Sequence, residues 1–423
     1  MNNRKLQIGF TLVLISVYFL LFFVLLIHPD KQDFTSFYSA LLSLKNNGNP
    51  YGILYSDFLS STKQLTPNLN PPVTLWFFSP LACFSYPTAL IIWITLSFIL
   101  GLIGAWIAFY YTFSDKFIKK YKLILLLMYF SFFPTMVNTV IAQFGSFLLF
   151  FLMLGYHFFL SDRYIKTGIC WGLCIALKFF PALVLFYLFK QGRLNALMIA
   201  VFSFLLFSLI PWVTYGIEIY SQYITLMERV FWYGDNWNAS IYGYIFRLFG
   251  YHNKPYLELF FVVLLLVLLF WYFRNLRLYK TTTINHQPFG MTLAMMLLIS
   301  PFGWLYYFPL LVFPFALTWA TALQETTSTN TTMLLWLFSL FLIDLPQGYV
   351  ITQNMQNFAV RLIPSSFYFY GLVLLTYLLS QKQIISGKNE INLKKREYPF
   401  LFILLFILLF GAIVTPLKIL LTG

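Results

Sequence analysis

Charge is what this chain has least of. Only 9% of its 423 residues are Asp, Glu, Lys or Arg, and acids account for just 13 of them. A soluble domain cannot cover its surface with so few charges, and 60% hydrophobic residues are more than a water-soluble core can take up. Histidine and cysteine are scarcer still. The four histidines (His28, His157, His252, His286) form no His-x-x-x-His pair, and of the three cysteines Cys83 stands alone while Cys170 and Cys174 lie four apart in an apolar run. Nothing here has metal-ligand spacing, so no metal and no cofactor are expected, and the cysteines read as packing residues.

What the chain has in quantity is apolar runs of about 20 residues, separated by short polar tracts. They predict an all-α polytopic membrane protein with about 12 transmembrane or half-membrane helices, all in a single domain over 1–423. The net charge of +14 does not point to nucleic acid, because the basic residues sit in short tracts between apolar runs. Membrane lipids are the expected surroundings. The first run, Leu6 to Ile27, is too long for a signal-peptide core and lacks a small-residue cleavage site, so it reads as an uncleaved first span.

Arg4 and Lys5 then put the N-terminus in the cytoplasm, and residues 28–86 form a first external loop. Within it, Val73–Phe84 is too short to span and is expected in the interface. Spans follow at 87–113, 123–141 and 144–160. Next, two basic pairs, Arg163/Lys166 and Lys190/Arg193, both look cytoplasmic although one span's worth of residues separates them. Pro181 breaks that stretch, predicting a pair of half-length helices over 166–189 that go in and come back. A second external loop over 213–255 lies between spans 194–212 and 256–273, and further spans at 289–301, 304–323, 333–343, 364–380 and 399–420 complete the chain. This arrangement puts 18 of the 27 Lys and Arg inside, 8 outside and Lys178 in the membrane.

Three stretches then share the external side. The first runs from His28 to Tyr51, where Asp30 and Asp33, three residues apart, fall on one face if helical, and a Gly48-Asn49-Pro50 turn closes it. Acids there also suit a solvated helix N-terminus. The second runs from Asp235 through Trp237, Asn238, Ser240 and Tyr242 to Arg247, and the third from Ser300-Pro301 through Trp304 to Tyr306 and Tyr307. Rings that stack on the CH faces of a pyranose, with amides and acids for its hydroxyls, make a sugar-binding wall; the same rings also suit an interfacial aromatic belt. Asn238-Ala239-Ser240 matches a glycosylation sequon, a pattern frequent by chance. Lys178, near mid-bilayer, costs roughly 2.5–3.5 kcal/mol on insertion scales unless it finds water or a partner. It either snorkels to the cytoplasmic surface or lines a cavity.

The order of these pieces resembles glycosyltransferase family 87, the polyprenol-phosphate-mannose-dependent mannosyltransferases of the multi-span GT-C fold. The matching residues are Asp33-Phe-Thr-Ser-Phe-Tyr38-Ser-Ala40, Gly48-Asn-Pro50-Tyr51, Pro71-Pro72 through Ser79-Pro80-Leu81, Gln143-Phe-Gly, the Gly172-to-Pro181 run with Lys178, Asn238-Ala-Ser240 and Ser300-Pro301. Together they cover residues 28 to about 310; the remaining spans, 333–420, add no further match. The resemblance implies that Asp33 is the catalytic base, with Asp30 as a rival acid, and that it takes the proton of an acceptor hydroxyl as that oxygen attacks the anomeric carbon. The leaving group would be a polyprenyl phosphate, which explains why no nucleotide-binding loop is needed, and the anomeric centre would invert. The implied donor is a polyprenyl-phosphate-linked hexose, most readily mannose, and the acceptor a glycolipid or envelope polysaccharide. The implied setting is a bacterial inner membrane with the active site on the periplasmic face.

Substrate-binding candidates on these grounds are Tyr38, Tyr51, Gln143, Lys178, Asn238, Ser240, Arg247, Trp304, Tyr306 and Tyr307. The family tends to carry histidines shortly after its Ser-Pro, where this chain has Tyr306 and Tyr307. Tyrosine donates a hydrogen bond but brings no positive charge, which moves phosphate recognition toward Arg247 or Lys178. Two other functions use the same features: a transporter or flippase of lipid-linked sugars, and an inactive relative acting as a scaffold. The chain shows no obvious inverted repeat of the kind transporters carry.

Overall fold

The structure, a computed structural model, describes residues 33–59, 61–230, 233–250, 254–276, 285–324, 329–352, 355, 357–381 and 398–422, with scattered positions between 9 and 23. Among these residues every regular element is helical, and two isolated bridges, Tyr55 with Gln64 and Asn238 with Trp304, are the extent of β pairing. Five stretches among the described residues are long and apolar enough to cross a membrane: Tyr86–Thr112, Leu194–Tyr215, Lys254–Asn275, Leu305–Leu323 and Phe358–Ser380. Shorter apolar helices, among them Gly145–Leu160, Tyr164–Leu177 and Gln287–Leu298, pack between them. The chain is an all-α polytopic membrane protein.

Proline sets most of the breaks. The 123–141 run, expected as one span, is two helices, Asp115–Phe130 and Phe133–Val140, bent by 52°. Pro134 explains the difference, since its ring clashes with a helical carbonyl at Phe130, four residues back, so the chain breaks with Phe132 extended and restarts as a helix with Pro134 in its first turn. The N–H of Phe133, freed by the bend, donates to Asp344 Oδ1 at 2.6 Å. A carboxylate at a helix N-terminus is well placed to accept it. Residues 213–255, expected as a loop, contain the helices Glu218–Glu228 and Ile241–Phe249. Val73–Phe84 lies within the short helix Pro72–Phe78 and a 3₁₀ turn, Ser79–Cys83.

The stretch around Lys178 has a readable geometry. The helix Tyr164–Leu177 stops because Pro181 cannot accommodate a helical carbonyl at Leu177, and Lys178 is extended (φ −151°, ψ 127°). A 3₁₀ turn, Phe180–Ala182, leads into the helix Leu183–Lys190. At its end Arg193 donates to the Tyr164 hydroxyl at 3.0 Å and pairs with Asp162 at 2.8 Å. The chain therefore comes back to where it left, and Lys178 sits at the turning point. Fourteen residues rise roughly 21 Å, short of the ~30 Å of a bilayer core.

Small residues let the long helices approach closely. A Cβ on Gly104 would lie 2.8 Å from both the Cα and the N of Phe150 in the helix Gly145–Leu160. Because those are backbone atoms, the helix would have to move. Gly104→Ala is therefore expected to destabilise the protein by about 1–3 kcal/mol, the range for overpacking. Gly9→Ala, with nothing within 4 Å of its Cβ, is the control. Thermal unfolding of the purified protein in detergent checks it: a lower midpoint for Gly104→Ala and an unchanged one for Gly9→Ala.

Candidate active site

Asp33 opens the helix Asp33–Lys45, and its backbone N–H donates to the Ile141 carbonyl at 3.2 Å. The next eight residues, Phe34 to Leu41, are all buried, so the helix is packed into the protein from its first turn. Gln143 Nε2 donates to Asp33 Oδ2 at 2.5 Å. The Gln143 amide is itself oriented, because its Oε1 accepts the Phe144 N–H at 3.3 Å. Asp33 is partly accessible yet strongly desolvated by the protein around it. Burial pushes its carboxyl above the usual aspartate range, and the Gln143 bond and the positive charge of Lys178 pull it back only in part.

The turn that carries Gln143 has special requirements. Ala142 adopts φ +53°, and its carbonyl accepts the indole N–H of Trp93 at 2.8 Å. Asn138 Oδ1 accepts the Gly145 N–H at 2.7 Å, while its amide donates to Ser146 Oγ at 3.0 Å. A Cβ on Gly145 would stand 2.0 Å from the Tyr306 carbonyl oxygen. Glycine is needed there, and its absence of a side chain brings Tyr306 and Tyr307 against the Gln143 turn. Both tyrosines feel the charge of Asp33.

Tyr306, Tyr307, Trp304 and Lys178 line one cavity of about 520 Å³. That volume lies within the usual span of small-molecule sites. Trp304 and Tyr306 stack nearly parallel, 13° apart with centroids 6.0 Å apart. Lys178 Nζ lies 5.4 Å from the Tyr307 ring centroid and 5.7 Å from that of Phe144. Of the two fates open to it, the lysine takes the cavity wall rather than snorkelling away. Asp33 and Lys178 influence each other without forming a contact ion pair. On its other side the cavity is walled by Phe186, Leu265 and Leu269. Phe179 and Phe186 remain about half exposed there, and Leu266 and Phe270, on the same helix as Leu265 and Leu269, face outward.

The second loop behaves differently from the expectation of a substrate-binding surface. Arg247 is fully buried; its Nε donates to Ser366 Oγ, and its Nη1 to the carbonyls of Gly234, Asp235 and Asn238 at 2.9–3.2 Å. It holds a backbone and does not line the cavity. Asn238 is equally buried, donating to the carbonyls of Tyr233 and Pro301, and Ser240 caps the helix Ile241–Phe249 through the Gly243 N–H. The sequon is thus inaccessible. Tyr38 donates to the Phe84 carbonyl and Tyr51 to that of Asn70, both away from the cavity wall, although Tyr51 packs on Tyr223, which lines it. Asp30 lies outside the described residues.

Sequence reasoning missed how the loop is closed. Asp235 accepts from the Tyr349 hydroxyl and from the Thr352 N–H, and Asn236 bonds with Gly348 and Val350. Burial lifts the Asp235 carboxyl, against the pull of these bonds and of Arg247. The Asn238–Trp304 bridge, with Ala239 N–H to the Gly303 carbonyl and Leu305 N–H to that of Trp237, then zips the loop to the Ser300 turn. No local pattern around Tyr349 or Tyr223 marks them out in advance. Because its charge serves three carbonyls, Arg247→Lys is expected to lower the unfolding midpoint by several degrees, corresponding to about 1.5–3 kcal/mol, while leaving the apparent affinity for any cavity ligand unchanged in the protein that folds. Thermal unfolding and ligand titration on the same preparation measure both.

The sequence model of glycosyltransferase family 87 matches residues 68–301. No curated protein and no solved structure matches the chain.

Proposed function

Because the chain belongs to glycosyltransferase family 87, we propose that this membrane glycosyltransferase takes a hexose, most readily mannose, from a polyprenyl-phosphate donor and passes it to a glycolipid or envelope-glycan acceptor. The observation that carries the reading is that one cavity is lined by a lysine and stacked aromatic rings, with an apolar wall leading outward, while Asp33, held by Gln143 just outside that lining, shares an electric field with its Lys178, Tyr306 and Tyr307. Each part suits one part of the substrate. The isoprenoid chain would lie along Phe186, Leu265 and Leu269. Its phosphate would meet Lys178, with Tyr306 or Tyr307 as hydroxyl donor, supplying the positive charge the tyrosines lack. The sugar would stack on Trp304 and Tyr306.

Asp33 would act as general base. The acceptor O–H bond breaks, its proton goes to the carboxylate, and the oxygen forms a bond to the anomeric carbon. The bond from that carbon to the phosphate oxygen breaks with its electron pair going to the phosphate. Attack from the face opposite the phosphate inverts the centre, so a β-linked donor gives an α-linked product. In the topology that places the N-terminus in the cytoplasm, the recess opens to the periplasmic side of the inner membrane. The alternatives of transport and of an inactive scaffold predict no product at all.

Asp33→Asn is expected to abolish transfer while leaving the fold intact. The raised carboxyl value means ionised Asp33 is disfavoured in the folded state, so its contribution to stability is lost as pH rises through that value. At neutral pH the amide should therefore unfold at the same temperature as the wild type or higher. Mass spectrometry of lipid-linked glycans and envelope polysaccharides, from cells with either protein, should show one sugar missing from one glycan. An unchanged glycan profile with folded protein in the membrane would move the reading to transport or to a scaffold. For the wild type, kcat should fall on the acidic side with a limb above the ordinary aspartate range. Lys178→Met should raise the donor KM by about 10-fold or more, the scale of a lost charge-assisted hydrogen bond.

A further inference from the structure

We infer that Gln143 is a positioning residue that selects which oxygen of Asp33 receives the acceptor's proton. The inference rests on the reading of Asp33 as base and adds a role to the turn beside it. Gln143 is buried, and its carbonyl oxygen is held by the Phe144 N–H, so the group it presents to Asp33 is the NH₂. An NH₂ can donate and cannot accept. At 2.5 Å from Oδ2 it occupies that oxygen and opposes a proton there. Oδ1 is left as the atom on which the proton of the acceptor hydroxyl lands. The O–H bond breaks at the acceptor, an O–H bond forms at Oδ1, and Gln143 keeps its own protons throughout.

The backbone supports the same assignment from both sides. Asp33 is fixed through its N–H to the Ile141 carbonyl, two residues before Gln143. Gln143 is fixed through its own N–H to the Asn138 carbonyl at 2.9 Å and by the left-handed conformation of Ala142. The carboxylate and the amide are thus attached to one short turn, and neither depends on a bound ligand to find the other. Neither Gln143 nor Asp33 lines the cavity wall, although a substrate-binding role was the expectation for Gln143. A substrate ligand would direct its amide into the cavity, whereas this one directs it to the acid.

The charged and titratable groups facing Asp33, among the described residues, are Lys178 at the turning point after Leu177, and Tyr306 and Tyr307 on the element that follows Trp304. Lys178 favours the carboxylate. The two tyrosines add no positive charge. Removing the Gln143 donor therefore leaves Lys178 alone to oppose burial.

The test is a pH titration of the Asp33 carboxyl in the purified full-length protein in lipid nanodiscs. Infrared difference spectra against Asp33→Asn isolate its C=O stretch, and no substrate is needed. In Gln143→Ala the midpoint should move up by about one pH unit, the scale of a hydrogen bond to the charged form. Gln143→Glu keeps the shape and replaces the donor by a second acid, so its shift should be larger. Gln143→Asn serves if Gln143→Glu does not fold. With a polyprenyl-phosphate hexose as donor, kcat should drop 10-fold or more and the acidic limb should follow the infrared midpoint, while donor KM stays within twofold. Unchanged midpoints in folded Gln143 variants overturn the inference, and so does a rise in KM with kcat preserved. Loss of the base reading looks different: Asp33→Asn would then still turn over, whatever Gln143 does to the titration.

Discussion

The approach of Gly145 to the carbonyl of Tyr306 sets the dimensions of the site. Two segments more than 150 residues apart in sequence meet there, one carrying Gln143 and the other Tyr306 and Tyr307, with room for a hydrogen and no more. Asp33 is tied to the first segment through Ile141 and Gln143, and Lys178 reaches toward the second, over the ring of Tyr307. If that contact opened, the acid and the lysine would no longer be held near each other. Around it, irregular backbone is tolerated within an apolar bundle because its polar groups find partners inside the protein: Asn138 for Gly145, Trp93 for Ala142, Asp344 for Phe133.

The Asp33 carboxylate is stabilised only in part. Burial disfavours the carboxylate, and one hydrogen bond and one positive charge across a gap partly restore it. A closer Lys178 would favour the carboxylate further, whereas without Lys178 the Gln143 bond alone would oppose burial. Asp33 and Lys178 thus feel each other's charge without a contact ion pair, the kind of perturbed pair that marks a candidate site.

Much of the fold was legible because its signals are local. Apolar length marks the spans, and Pro134 and Pro181 mark the breaks, although only the second break was expected; the bend at Ser131 was overlooked inside an uninterrupted apolar run. The helix Ile241–Phe249 was hidden because a short amphipathic helix between spans looks like loop. In the site, Asp33 and Lys178 stand out because charge is rare in this chain; the structure puts Lys178 in the cavity wall and Asp33 near enough to feel its charge. Arg247 stood out for the same reason and misled, since its partners are carbonyls, which every residue has. Side-chain type says nothing about a group that will be consumed by backbone. Tyr349 and Tyr223 were invisible among 29 tyrosines.

That use of carbonyls has a consequence for how such a site can diversify. Arg247 grips Gly234, Asp235 and Asn238 by main-chain atoms, and the Ala239–Gly303 and Leu305–Trp237 bonds are likewise indifferent to side chains. The rim of the recess is therefore held in shape by contacts that survive a change of residue. Its inward-facing rings can be exchanged one at a time, trading one sugar or acceptor for another, without the scaffold having to be found again.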